Sequence, residues 1–126
     1  MEYNPYALTG KTILVTGASS GIGRAVAIEC SRLGAHVILS ARNKEKLEET
    51  LKMMEGHGHQ VIECDLSKEK EVSLLIDEVP EIQGLVNNAG TTMTVPVPFI
   101  KFNVLSDLLK VNTIAPIMIL SGLVKK

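Results

Sequence analysis

Thr16-Gly17-Ala18-Ser19-Ser20-Gly21-Ile22-Gly23 decides the fold, because its glycines join an apolar run to a helical pattern. The run before it, Lys11 to Thr16, is short, apolar and stopped by Gly17, which predicts a buried strand. From Gly21 onward, Ile22, Val26, Cys30 and Leu33 recur at helical spacing. They are expected on one inward face, with Gly34 as the C-terminal stop. Glycine allows positive φ in such a turn, lets a ligand approach the backbone, and lets the helix start lie against the strand. The helix N-terminus then offers free N–H groups and partial positive charge, which suits a diphosphate. Taken alone, the same turn would also serve as a tight connection that binds nothing.

Outward from this turn, strand and helix alternate. Ala35 to Ser40 reads as a second strand, and Asn43 caps a helix with Leu47, Leu51 and Met54 inward. Gly56-His57-Gly58 breaks that helix, and Gln60 to Cys64 is a third strand. Ser67 is a candidate cap for a helix with Val72, Leu75, Ile76 and Val79 inward, closed by Pro80. Ile82 to Asn87 is a fourth strand, a loop runs from Thr91 to Pro98, and a last helical region starts near Phe99. No tight hairpin turn separates the strands, so parallel pairing through right-handed crossovers is expected. Strands that are apolar runs rather than alternating patterns are covered on both faces. The expectation is an α/β protein with a doubly wound parallel sheet in three layers, strand order 3-2-1-4. It spans residues 11–126, and residues 1–10 form an irregular extension.

Composition narrows the function. A chain of 126 residues is one domain at most. A net charge of −1 without a basic cluster argues against nucleic acid as a partner. The opening Met1-Glu2-Tyr3-Asn4-Pro5-Tyr6 lacks the pattern of a secretory signal. The longest mostly apolar run, Thr113 to Val124, is too short to cross a bilayer, so no membrane insertion is expected. Cys30 and Cys64 do not make a disulfide framework; free thiols and a cytoplasmic setting are expected. His57 and His59 lack the further ligands a zinc site needs, so no metal is expected.

In an open parallel sheet, ligand binds where neighbouring connections leave in opposite directions, here between the first and fourth strands. The walls would be the Gly17–Gly23 loop and Asn88-Ala89-Gly90. Asn88 suits a tie between loop backbones, and Gly90 suits close contact with a dinucleotide. Four ordered motifs now stand together. They are Thr-Gly-x-x-x-Gly-x-Gly at Thr16, Asp65-Leu66 after the third strand, Asn87-Asn88-Ala89-Gly90 after the fourth, and Val111-Asn112 in the next helix. From about Lys11 onward the chain resembles the classical short-chain dehydrogenase/reductases, and in wording the 3-oxoacyl-(acyl-carrier-protein) reductases. That resemblance implies a Rossmann-like fold and a nicotinamide dinucleotide held by Gly17, Ser19, Ser20, Gly21, Ile22 and Gly23. Further implied contacts come from Ser40, Arg42, Asn43, Asp65, Leu66, Asn88, Ala89 and Gly90. Asp65 would accept from the adenine amino group with help from the Leu66 backbone; alternatively it caps the nearby helix.

The cofactor preference follows from charge. Ser40-Ala41-Arg42-Asn43 ends the second strand without the carboxylate that holds the ribose 2′-OH of NAD. Arg42 can pair with a 2′-phosphate through a charge-assisted fork, aided by Ser40 and Ser20, so NADP(H) is expected. Asn112 follows Leu105 and Leu108 at helical spacing, which predicts an inward position. The resemblance makes it the catalytic asparagine, whose backbone carbonyl holds a water in a proton relay. Pro116 lacks the N–H that would pair that carbonyl and is expected to kink the helix. The family's catalytic Ser, Tyr and Lys have no counterparts: Tyr3 and Tyr6 are the only tyrosines, and neither has a lysine four positions on. The chain alone is expected to be inactive and to continue beyond Lys126 into a catalytic half. The complete protein would interconvert a carbonyl and an alcohol on a small-molecule substrate, as a homodimer or homotetramer. The competing readings are a non-catalytic dinucleotide-binding or interaction module and an S-adenosylmethionine-dependent methyltransferase. The Asn-Asn-Ala-Gly segment and the glycine spacing disfavour the latter.

Overall fold

The computed structural model describes residues 3–126. Strand β1 (Thr12–Thr16) leads into helix α1 (Gly21–Arg32), and β2 (His36–Ala41) into α2 (Lys44–Met53). β3 (Gln60–Glu63) precedes α3 (Glu69–Glu78), and β4 (Gly84–Val86) precedes a 3-10 turn at Val97–Phe99. Helices α4 (Phe102–Leu109) and α5 (Ala115–Leu123) are joined by a π-helical turn, Lys110–Ile114. The sheet has the order β3-β2-β1-β4, and all its pairings are parallel. The expected topology is present, with strand ends shifted by a residue or two.

Alternation along the central strands divides the core between the two sheet faces. Leu14, Ile38 and Ile62 pack with Val72 and Leu75 of α3, with Val79 at its C-cap, and with Ala115, Ile119 and Leu123 of α5. Ile13, Val15, Val37 and Leu39 pack on the other side with Ala27 of α1 and Leu47 of α2. Helices on both faces explain why the strands read as unbroken apolar runs. On the first of these faces α3 and α5 come close together at Gly122, where an added Cβ would stand 2.7 Å from Ile76 Cγ2.

Several local expectations are corrected. Ile22 is 76% exposed, and the inward residues of α1 are Gly23, Ala27 and Ser31. Close contact between Gly23 and the Gly17 carbonyl sets the phase of this helix, turning the stripe by one residue and leaving Val26 and Cys30 at its flank. Ser67 does not cap α3, which begins at Glu69 with Lys68 as its N-cap and no side-chain cap bond. The Ser67 hydroxyl instead donates to Asp65 Oδ1 at 2.7 Å, so Asp65 braces its own turn rather than the helix. By contrast, Asn43 caps α2 as expected, accepting from the Lys46 amide. Gly34 ends α1 with a φ of 99°.

The last helical region is also corrected. The π-turn shifts the helix phase, so the buried stripe runs through Ala115, Ile119 and Leu123, while Leu105 is 38% exposed and Asn112 is exposed. The distortion expected beside Pro116 takes the form of this π-turn, in which the Ala115 amide reaches the Lys110 carbonyl. Helix is continuous over the 22 residues Phe102–Leu123, and an 18-residue window within it reaches a mean hydropathy of 1.4, so by length and composition only it is long and apolar enough to cross a membrane. The apolar run that begins at Thr113 is thus the end of a longer helix, in which Asp107 and Lys110 pair at 3.9 Å one turn apart.

A histidine secures the β2–β3 connection. His59 Nδ1 accepts the Val37 amide at 3.1 Å, and Nε2 lies 2.6 Å from the Glu55 carbonyl. Accepting at Nδ1 places the ring proton on Nε2, where Glu55 can receive it. His59→Ala leaves a strand amide without its acceptor and is expected to cost about 1–3 kcal/mol in urea unfolding. A loss below about 0.5 kcal/mol would show that the bond is replaced by water.

Candidate functional site

The glycine loop is shaped by contacts that only glycine permits. Gly17 and Gly21 have φ of 66° and 56°, a region that side chains disfavour. A Cβ on Gly23 would lie 2.0 Å from the Gly17 carbonyl oxygen, and one on Gly17 would lie 2.8 Å from Ala89 Cα. The loop after β4 is therefore drawn against the loop after β1. Thr16 reinforces this: its Oγ1 accepts the amides of Asn88 and Ala89, each at 3.1 Å, and faces the Val86 carbonyl at 3.4 Å. Asn88 Nδ2 donates to the Gly17 carbonyl at 3.2 Å, which gives Asn88 the structural role expected of it.

A cleft of about 1060 Å³ opens beside these loops. Its walls include Gly17, Ser19, Ser20, Ser40, Arg42, Asn43, Leu66, Asn88, Ala89 and Gly90, all expected at the site. Gly21, Ile22, Gly23, Asp65 and Asn112 are not among its lining residues. Among the described residues, no acceptor takes the amide of Ser19 or Ser20. Ser20 is the N-cap of α1 but makes no side-chain cap bond, and the first turn of α1 carries no acidic residue. The start of this helix therefore keeps its free donors and its partial positive charge beside the cleft.

Asp65 is tightly oriented. Its Oδ1 accepts from both the amide (2.9 Å) and the hydroxyl (2.7 Å) of Ser67, and its own amide donates to Glu71 Oε1 at 3.0 Å. Partial burial works against the charge, but the Ser67 bonds, with Arg42 and Lys68 nearby, hold the carboxyl below the usual carboxylate range. Cys64, which lines the cleft, is pushed up to about 12 by burial and by Glu71 and Asp65, so it stays a neutral thiol. Asn112 clasps the loop after β4: its Oδ1 accepts the Thr91 amide at 2.8 Å and its Nδ2 donates to the Thr91 carbonyl at 2.7 Å.

With this geometry in view, the profile of the short chain dehydrogenase family matches residues 11–126. The chain belongs to that family. It is 45% identical over 85 residues to 3-oxoacyl-(acyl-carrier-protein) reductase of Rickettsia felis, which covers 68% of this chain and 35% of that protein. It is 43% identical over 101 residues to 3-ketodihydrosphingosine reductase of Mus musculus, covering 71% of this chain and 30% of that protein. Among solved structures, a metagenomic short-chain oxidoreductase in complex with NADP superposes with a TM-score of 0.84 at 34% identity, covering 94% of this chain and 57% of that one. The chain thus spans 35% and 30% of the length of these two curated relatives.

Sequence reasoning missed several parts of the site. Thr16 as a fork for two amides was read only as a strand end. Thr92, Met93 and Asp107 line the cleft without having been singled out. Thr50, fully buried, and Arg24 brace the glycine loop from behind. The available signal was Thr50 itself, a polar residue three positions after Leu47 on an otherwise apolar face.

Thr16→Val removes the acceptor for two loop amides and is expected to destabilise the protein by about 1–3 kcal/mol in chemical denaturation. A neutral result would mean the β1 and β4 loops are held by Asn88 alone. The Asp65 carboxyl of the folded protein is held below its ordinary value of 3.8. Its stabilising contribution is therefore present at neutral pH and is lost as the pH falls through the folded value. Asp65→Asn should lower the Tm at pH 7, and the gap to the native chain should narrow as the pH drops below 3.8. A gap that is constant with pH would contradict the charge-based account of this turn.

Proposed function

We propose that this chain provides the nucleotide-binding part of an NADP(H)-dependent oxidoreductase that interconverts a carbonyl and an alcohol. The observation that carries the reading is the pairing, on one cleft, of unpartnered Ser19 and Ser20 amides with the exposed Arg42 guanidinium. The donors suit a diphosphate and the guanidinium suits an additional phosphate. The structural relative in complex with NADP supports this choice.

When bound, the nicotinamide supplies or accepts the hydride. The protein's own residues bind and orient it. The Gly17–Gly23 loop presents backbone donors, and Asp65, with one oxygen saturated by Ser67, has its other oxygen for an amino group such as that of adenine. Leu66 contributes the neighbouring wall, and Ser40, Asn43, Ala89 and Gly90 complete the lining. Glu45 and Glu63 also line the cleft, opposed by Arg42, Lys44 and Lys46. Arg42 is the residue placed directly after β2, where a carboxylate would select the unphosphorylated ribose.

Asn112 is assigned the proton-relay role through its backbone carbonyl, for which Pro116 offers no N–H. Its side chain fixes Thr91 and thereby the loop that carries Gly90. The 126 residues hold no Tyr-x-x-x-Lys, so this stretch by itself is expected to bind nucleotide without turnover. A 3-oxoacyl thioester is the substrate class suggested by the Rickettsia felis relative. The exposed apolar faces of α4 and α5, including Phe102, Leu109 and Ile117, support assembly as a homo-oligomer. The free thiols Cys30 and Cys64 support a cytoplasmic setting.

Titration followed by nicotinamide fluorescence tests the cofactor choice. NADPH is expected to bind at least roughly tenfold tighter than NADH, and Arg42→Ala should bring the two together. Equal affinities in the native protein, or a ratio untouched by Arg42→Ala, would overturn the assignment of NADP(H).

A further inference from the structure

We propose that Arg24 and Thr50, which do not line the cleft, are positioning residues that set the direction of the Ser19 and Ser20 amides. The proposal rests on the reading of the cleft as a dinucleotide site. Arg24 Nη2 donates to the Ser19 carbonyl at 2.6 Å and Nε donates to Thr50 Oγ1 at 2.9 Å. Thr50 Oγ1 in turn donates to the Ala18 carbonyl at 2.8 Å. A hydroxyl has one hydrogen to give. With Arg24 filling an acceptor position on Oγ1, that hydrogen goes to Ala18, the shorter contact, rather than to the Lys46 carbonyl at 3.2 Å.

Peptide planarity converts these contacts into a constraint on the cleft. The Ala18 carbonyl and the Ser19 amide belong to one rigid trans peptide, and the Ser19 carbonyl and the Ser20 amide belong to the next. A carbonyl tied toward α2 leaves the N–H of the same peptide facing the opposite way. Ser19 and Ser20 both line the cleft, and their amides have no acceptor among the described residues. The clamp therefore holds two donors aimed before any ligand arrives, so that binding does not have to order them.

The anchor is well fixed. Thr50 is fully buried and lies on α2, whose start is secured by Asn43. Arg24 follows Gly23, the glycine pressed against Gly17, and its Nη2 also meets the Lys46 carbonyl at 3.2 Å and Glu49 Oε2 at 3.4 Å. Only a planar fork can address the Ser19 carbonyl and the Thr50 hydroxyl together; a lysine ammonium keeps the charge and loses the geometry. Arg24→Lys thus separates aiming from simple electrostatic attraction.

The test compares NADPH with 2′-AMP, which keeps the adenine and the 2′-phosphate but has no diphosphate. Arg24→Lys and Thr50→Val are expected to weaken NADPH by roughly tenfold while leaving 2′-AMP within about twofold of the native value. Thr50→Ser, which keeps the hydroxyl, should restore native NADPH affinity. If Thr50→Val does not fold, Arg24→Lys and Thr50→Ser carry the comparison. Equal losses for both ligands would reveal a general packing role and overturn the proposal, as would unchanged NADPH affinity in Arg24→Lys. A native protein that binds neither ligand overturns the reading of the cleft itself, which distinguishes that failure from failure of the clamp.

Discussion

The site depends on how closely the start of α1 can lie against the end of β1. At Gly23 that approach leaves no room for a side chain, since a Cβ would fall 2.0 Å from the Gly17 carbonyl oxygen. Gly17 is likewise pressed against the backbone of Ala89. Three backbone segments converge here, and Thr16 Oγ1 ties two of them together by accepting the Asn88 and Ala89 amides. Everything downstream follows from this convergence. The helix begins with its donors beside the cleft, the β4 loop forms the opposite wall, and no side chain separates the loop backbone from a ligand.

The two helix starts that border the cleft are treated differently, and the difference has a functional sense. Asn43 spends its side chain on the Lys46 amide, so α2 satisfies part of its own first turn. Ser20 makes no such bond, and α1 keeps its donors unspent. Charge follows the same division. Arg42 stands beside the α2 start, where a cation gains nothing from the helix dipole, and it helps keep Asp65 ionised. The guanidinium is thus a charged part of the cleft wall, while the oriented carboxylate sits between the lining residues Cys64 and Leu66 in the chain without lining the cleft itself.

Much of this was legible in the residues. Unbroken apolar runs at Ile13 to Val15 and Val37 to Leu39 foretold a sheet covered on both faces, and the glycine spacing at Gly17, Gly21 and Gly23 marked the loop. Gly34 and Asn43 acted as the stop and cap their chemistry suggests. Where the reading failed, tertiary contact overrode local pattern. Ile22 fits a helical stripe, yet the pressure of Gly23 on Gly17 turns it outward. Asn112 fits a straight helix, yet the π-turn at Lys110–Ile114 shifts its phase and leaves the side chain to clasp Thr91. Ser67 looks like a cap, but Asp65 lies closer to its hydroxyl than any helix amide does. Thr50 signalled itself only as a polar residue on the apolar face of α2, and the role of Arg24 was not legible, because the loop atoms they hold are the Ala18 and Ser19 carbonyls, which every residue possesses and no pattern records.

Amide resonances report most directly on whether the glycine loop grips a diphosphate. In a 15N-labelled sample titrated with NADP⁺, the Ser19 and Ser20 signals should move earliest and farthest, with those of Ala89 and Gly90 following. Displacements confined to other regions, with Ser19 and Ser20 unmoved at saturation, would contradict the central role given to that loop.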